Sequence, residues 1–461
     1  MKRNLNCFYK IKMKLIYIFI LFLVLIFIIF LPSCGLFREK ESYENDTAVT
    51  EAIKAEEEQE EKDTSDITEI DIWDSTDHKG QIELIDSIEK FLAVNSELKI
   101  NSRHFRSEEE LLDQFEAASL AGAGPEILIS MLESASRLAQ SNTIKQLTEE
   151  FNYPDILNGL KEVSVFNGVN YVVPFRAFNF LMFYYNMDLV TKVPDNFAEL
   201  ILYCKEISEQ NDGTQGFLLN AKEPDWIIPF VGGYQDWIFD YVTGAISLES
   251  EAMKKTLDFL LKIYSQEKIL PYEVGYEDIN NAFKAGNVHM IINGNWAIDE
   301  YKDSGINFSV TKIPIVWEGY KNPTPMIDSI GFMINVNCYG EELIACKELI
   351  SYLMSDEVQA SWTASTPTLP VIKGIEQSQL IRNDPIWSAE IEQAKICRGK
   401  PPDEFLRVIR DSIRINLENV IKGNITTDEA VIKMQEDAIK LKSGDVSVEE
   451  LSQESQESPE S

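Results

Sequence analysis

The stretch MIINGNW at positions 290–296 holds the first chemical hint. Three apolar residues run into the small polar turn Asn293-Gly294-Asn295, and that turn delivers Trp296. An indole offers a flat apolar face that matches the C–H face of a pyranose, and its N–H can donate to a hydroxyl. In α/β sheets ligands collect beyond the carboxyl ends of strands, where such a turn projects its side chains. The competing role is a core tryptophan that packs a helix on a sheet, for which a polar turn is unnecessary. A second indole, Trp226, sits in EPDWIIP at 223–229 beside Glu223 and Asp225; its competing role is a solvated loop with one buried aromatic. In WDSTD at 73–77, Ser75 and Asp77 follow an opening strand. Both can fix a polyhydroxylated ligand through directional bonds, and both can equally cap the helix beginning near Gly80.

Residues for covalent chemistry are sparse. The three histidines, His78, His104 and His289, are scattered, and there is no HExxH, GxSxG or P-loop pattern. A glycosidase with paired carboxylates is easy to imagine in so acidic a chain, but no pair stands out. We therefore expect binding without catalysis, with no cofactor and no metal. Cys204, Cys338, Cys346 and Cys397 are spread without a CxxC or Cys/His grouping, so they read as buried thiols rather than a zinc site or disulfide scaffold.

The formal charge of -34 repels phosphate backbones and acidic lipid surfaces, so nucleic acid is excluded as a partner. A hydrophobic fraction of 44% over 461 residues is enough for two packed lobes. Ahead of them, Lys2, Arg3, Lys10, Lys12 and Lys14 flank the uncharged run LIYIFILFLVLIFIIFL at 15–31, which reads as a secretory signal and overlaps the length of a membrane anchor. Residues 36–66 and the end from about 443 are acidic and poor in large apolar residues, a composition expected to stay unstructured.

Between these ends, strand and helix patterns alternate. Period two at 69–73 feeds a helical spacing at 81–94; a short strand at 98–100 precedes Ser107 to Glu110, a capping box that opens a helix with Leu111, Leu112 and Phe115 inside. The unbroken apolar run at 127–129 suits a buried parallel strand, so the class is α/β with helices covering a mostly parallel sheet. Asn167-Gly168 between apolar arms predicts a hairpin. Strands at 180–185, 288–292 and 330–336 and helices at 197–209, 250–264, 276–284, 405–420 and 427–440 complete the pattern, the 405–420 helix turning Phe405, Ile409, Ile413 and Leu417 inward.

Several stretches in this order resemble the extracellular solute-binding proteins of ABC transporters, in the maltose-binding-protein-like family: GAGPEILI at 122–129, FNGVNYVVP at 166–174 with FYYNMDLV at 183–190, AFKAGNVHMIINGNWAI at 282–298, and SDEVQ at 355–359. LPSCG at 31–35 is similar to a bacterial lipoprotein signal, with Cys34 as the lipid acceptor and Pro32 departing from the usual small residue. An uncleaved membrane helix is the alternative.

The resemblance implies a two-lobed periplasmic-binding-protein-like fold of type II, hinged, each lobe a sheet flanked by helices. Carried onto this chain it implies a leader at 1–33, a lipidated cysteine and acidic tether at 34–66, a first lobe at 67–176 and 332–373, a second at 177–331 and 374–440, and an acidic tail at 441–461. Crossings fall near 176–180, 328–332 and 371–375. It also implies a monomeric receptor, held at the outer face of the cell membrane by its lipid alone, that passes a carbohydrate, expected to be an oligosaccharide, to a permease. Glu223, Asp225 and Trp226 would face the cleft, with Tyr276 and Phe405 stacking from the same lobe. Glu133 matches a carboxylate position of the family, Glu126 is expected to be structural, and Arg176, Asn179 and Asp328 would touch ligand near the hinge. An asparagine replaces the family's acidic residue there, which sets maltose itself in question. A cation such as a polyamine, held by carboxylates and ring faces, is the alternative guest. A receptor that only signals or adheres is another.

Overall fold

The computed structural model describes residues 67–456 except 149–150, 152, 211–212, 272 and 318–319. The leader, Cys34 and the acidic tether lie outside the described residues. In chain order the elements begin β1 (Thr68–Asp74), α1 (His78–Leu92), β2 (Leu98–His104), α2 (Glu108–Leu120), β3 (Ile127–Met131), α3 (Ser134–Gln140), α4 (Asn158–Val163), β4 (Val165–Phe166), β5 (Val169–Asn170) and β6 (Val173–Phe178). Next come β7 (Leu181–Asn186), α5 (Phe197–Gln210), β8 (Gln215–Leu218), α6 (Pro224–Gly233), β9 (Phe239–Asp240), β10 (Ala245–Ile246), α7 (Glu251–Leu261), α8 (Tyr276–Lys284), β11 (Val288–Gly294), α9 (Ile298–Ser304) and β12 (Phe308–Thr311). The chain ends with β13 (Met326–Ile334), α10 (Gly340–Leu353), α11 (Asp356–Ser365), β14 (Leu369–Pro370), α12 (Gln379–Asn383), α13 (Pro385–Ala394), β15 (Arg398–Gly399), α14 (Asp403–Lys422), α15 (Thr427–Ser443) and α16 (Val448–Gln456).

Two sheets organise these elements. The first has the order β14-β6-β13-β3-β1-β2, with β15 beside β13; the second has the order β12-β7-β11-β8. Parallel pairing is confined to β1 with β2 and β3, β13 with β15, and β11 with β8. The mostly parallel sheet expected from the βα pattern is therefore corrected to a mixed one. The chain passes directly from β6 in one sheet to β7 in the other, and strands that return from a neighbouring sheet, such as β13, pair antiparallel. The outward passage is the two-residue link Asn179-Phe180. The return runs into β13, whose Met326 packs in the second core and whose residues 328–332, the crossing read from sequence, pair with β6 in the first sheet.

Local chemistry explains the element ends. Asp77 opens α1 by accepting from Gly80 N at 2.7 Å, and Leu84, Ile88 and Phe91 then fall on one buried face. Asn167 and Gly168 both take positive φ, 51° and 78°, the two left-handed positions of a type I′ turn between β4 and β5. On β7 alternate residues bury on opposite sides: Met182 and Tyr184 face one cluster, where Tyr184 meets Phe283 of α8 and Tyr301 of α9, and Leu181 and Phe183 join the core of α5, α6 and α7. In α14 Ile409, Ile413 and Leu417 are buried, whereas Phe405 is only half-buried. The four body cysteines are free and buried.

The acidic end is a second correction. Residues 448–456 form α16, which packs on α14 through the buried Leu451. Ser447 Oγ accepts from Glu450 N at 3.2 Å while Glu450 returns a bond to Ser447 N at 2.7 Å. That reciprocal cap, with one apolar anchor, overrides the acidic composition.

Candidate binding cleft

The turn after β11 spends its polar groups on neighbours inside the fold. Asn293, buried, donates to Asn280 Oδ1 and Tyr301 Oη, both at 2.7 Å. Tyr184 Oη donates to Gly294 O at 2.6 Å. Asn295 N donates to Phe180 O at 2.9 Å, and Asn295 Nδ2 donates to Glu390 Oε1 at 3.0 Å. The polar residues of the turn thus point inward and are satisfied, which leaves Trp296 outside, 43% exposed. Its Nε1 donates to Tyr276 Oη at 2.9 Å. Trp226 stands edge-on to it, ring centroids 6.3 Å apart at 85°, and 6.2 Å from Tyr276. Trp226 Nε1 is tied to Ile292 O at 3.1 Å, so its ring is held in place. These three rings build an open aromatic corner on the second sheet.

Across from it, the first sheet supplies hydroxyls and carboxylates. Asp74 is buried; its Oδ1 accepts from Thr76 Oγ1 at 2.7 Å and lies 2.9 Å from His104 Nδ1, which shapes the turn after β1. Asp77 is exposed and caps α1, the second of the two roles left open for it. Ser75 Oγ donates to Glu108 Oε2, and Glu108 Oε1 accepts from Ser130 Oγ and from Met131 N at 3.1 Å. Sequence reading passed over Glu108, which stands in the first turn of α2 directly after the recognised cap residue Ser107. An acid in the first turn of a helix complements the helix dipole wherever it occurs, so nothing in the sequence marks this one as the rim's organiser. Ser75, Asp77, Glu108, Asn179, Trp296 and Asp299 line one cavity of about 490 Å³.

Near the link between the sheets the candidates separate. Arg176 is fully buried and spends all five N–H groups inside the protein: on Thr368 Oγ1, Gln359 O, Gln359 Oε1, Thr363 Oγ1 and Thr368 O, at 2.6–3.4 Å. Burial pulls its pKa down to about 9, and no carboxylate pairs with it. Expected to touch ligand, Arg176 ties β6 to α11 and to Thr368, and it also borders the cavity of about 490 Å³. Asn179, in the left-handed region at φ 54°, donates to Asp328 Oδ2 at 2.9 Å. Lys400 Nζ lies 2.7 Å from the same oxygen and 2.6 Å from Oδ1. Lys400 was unsuspected, since in sequence it is one lysine among many.

Asp225 makes a two-point bond to Arg410 at 2.7 Å each, and Glu223 bonds Arg414 at 3.1 Å, so both carboxylates expected to accept from ligand already serve α14. Asp225, Asn179, Trp226, Trp296 and Lys400 line a cavity of about 220 Å³. Glu133, Lys400 and Phe405 line another of about 190 Å³. Burial first, and the charge of Asp328 second, push the Glu133 carboxyl up to about 7. Phe405 packs 4.9 Å from Phe239 with Lys442 Nζ 3.6 Å from its ring centre, apart from the Trp296 corner. Because Asn179 and Trp296 border two of these cavities and Lys400 two, they form one continuous cleft between the sheets. A larger hollow, about 940 Å³ around Trp237, Tyr241 and Arg398, includes none of the predicted ligand contacts. Among the described residues no cluster of three or more metal-ligating side chains occurs, and no helix is long and apolar enough to cross a membrane.

Comparison with known proteins agrees with this architecture. The profile of the family described as bacterial extracellular solute-binding protein matches residues 86–389. The galactooligosaccharide-binding protein of Bacillus subtilis (strain 168) is 22% identical over 331 residues, covering 69% of this chain and 77% of its own. The maltotriose-binding protein of Pyrococcus abyssi (strain GE5 / Orsay) is 22% identical over 383 residues, 80% of this chain and 81% of its own. Among solved structures, the maltose/maltodextrin-binding domain MalE from Bdellovibrio bacteriovorus bound to maltotriose aligns with a TM-score of 0.58 and 26% identity, over 81% of this chain and 99% of that one. A cyclo/maltodextrin-binding protein complexed with maltotetraose reaches a TM-score of 0.69 at 20% identity, over 82% and 97%, and shares the two-lobed type II fold. The chain belongs to the bacterial extracellular solute-binding proteins.

Proposed function

We propose that this protein is the lipid-anchored receptor of an ABC importer and that it captures a neutral oligosaccharide between its two sheets for delivery to a permease. The observation that carries this is the half-exposed Trp296, braced by Tyr276 and Trp226, on a cavity shared with Ser75, Asp77 and Glu108. Flat rings take the apolar faces of sugar rings while carboxylates and hydroxyls take their O–H groups. A neutral guest suits the pairing of Asp225, Glu223 and Asp328 with Arg410, Arg414 and Lys400, which leaves those carboxylates little to offer a cation. The relatives named for galactooligosaccharide and maltotriose point to the same ligand class. The lobes built on the two sheets would close over the guest about the Asn179-Phe180 link, a population shift toward the closed form. Cys34 would carry the lipid, after removal of residues 1–33.

Titration of tryptophan fluorescence with maltooligosaccharides, galactooligosaccharides and spermidine, each at low and high salt, tests the proposal. A saturable change with neutral sugars that persists in salt is expected. Silence across the sugars, or a salt-sensitive response to spermidine alone, would sink it.

A further inference from the structure

Outside the cleft, two of the four buried thiols meet. Cys338 Sγ and Cys346 Sγ lie 3.9 Å apart, both within the core beneath the first sheet. Cys204 packs against Gly216, and Cys397 lies beside Gly159, elsewhere in the fold. We propose that Cys338 and Cys346 are a disulfide-forming pair.

Three observations support it. Cys338 sits in the short connection between β13 and α10, whereas Cys346 is inside α10, so only one partner is held within a helix. A disulfide needs its sulfurs at about 2.05 Å, so the pair must close by roughly 2 Å, within reach of a side-chain rotation plus a small loop adjustment. Tyr339, next to Cys338, is 61% exposed, and Gly340 takes φ 58°, so the connection is both accessible and jointed at its end. The family acts outside the cytoplasm, where disulfides persist.

The oxidant is a disulfide of a small thiol or a thiol oxidoreductase. On loop opening the Cys338 thiolate attacks one sulfur of that disulfide and expels the other as a thiolate. The Cys346 thiolate then attacks Cys338 Sγ in the mixed disulfide and expels the second thiol. The protein loses two protons and two electrons, and the oxidant is reduced to two thiols. Cys338, on the connection beside the exposed Tyr339 and not inside α10, is the first to react. The bridge would staple the end of β13, where Asn335 and Asn337 already fasten to Ser119, Ala123 and Pro125, onto α10. None of these residues lines the Trp296 cavities, so ligand affinity should not change.

The purified chain is equilibrated with mixtures of reduced and oxidised glutathione, alkylated in denaturant and digested with trypsin. Both cysteines fall in the peptide 322–347. The expected peptide is lighter by two hydrogens and resists alkylation until reduced, while Cys204 and Cys397 are alkylated throughout. Oxidation should also raise the thermal unfolding midpoint by several degrees, and the double variant Cys338→Ser/Cys346→Ser should lose that rise. Peptide 322–347 carrying two alkyl groups or glutathione at every ratio would overturn the proposal, as would an equal rise in the double variant.

Discussion

The indole of Trp296 lies folded back over Gly294: a β-carbon at 294 would sit 2.1 Å from Trp296 Cζ3 and 2.2 Å from its Cε3. The glycine is there to let the ring lie flat across the end of β11. Gly294→Ala should therefore displace the platform, and both this change and Trp296→Ala should weaken ligand binding by about 1–3 kcal/mol. Trp296→Ala removes a half-exposed ring and should leave unfolding stability within about 0.5 kcal/mol. Isothermal titration beside urea unfolding separates the two effects; a large stability loss in Trp296→Ala would return the residue to the core.

Arg176 should behave as a buried strut. Arg176→Met removes the donors serving Gln359 O and Thr368 O and is expected to cost about 3–5 kcal/mol of stability. Urea unfolding checks this. A variant of normal stability with lost affinity would instead make Arg176 a ligand contact.

Glu390 lies buried beneath the turn that carries Trp296, and burial pushes its carboxyl up to about 8 from an ordinary 4.5. Between those two values the folded chain keeps a proton that the unfolded chain releases, so Glu390 makes stability fall as pH rises through the window. Glu390→Gln preserves an acceptor for Asn295 and should flatten that slope, gaining roughly 1–3 kcal/mol at pH 8. Thermal unfolding of both proteins from pH 5 to about 8.5 measures it. Parallel curves would count against the assignment.

Glu133 should make binding, as well as folding, depend on pH. Its carboxyl is held up to about 7 at the cleft wall, and a carboxylate is a stronger acceptor for a ligand hydroxyl than the protonated acid. Affinity for a neutral ligand is expected to tighten as pH rises through about 7, and Glu133→Gln to abolish the trend. Affinities measured on either side of that value suffice; a flat profile in the unsubstituted protein would remove Glu133 from the site.

Much of the fold was legible because its signals are local. The Asn167-Gly168 turn, the cap at Ser107 and the inner faces of α1 and α14 follow from dihedral preference and helical period, which neighbours three or four residues away decide. The second sheet's pairing was not legible, because β11's parallel partner β8 on one side and antiparallel partner β7 on the other depend on where the chain crosses between sheets. At the candidate cleft, Trp296 announced itself through the polar turn that precedes it, although the asparagines of that turn serve buried partners and not the cleft.

Charge was the limit. By itself the sequence determined that the chain is acidic, two-sheeted in pattern and equipped with aromatic residues at strand and helix ends. Only the tertiary structure decided which charges remain available, since Asp225 meets Arg410 across 185 residues and Asp328 meets Lys400 across 72. An ion pair is set by distance in space, and a carboxylate's availability to a ligand depends on what folding has placed beside it.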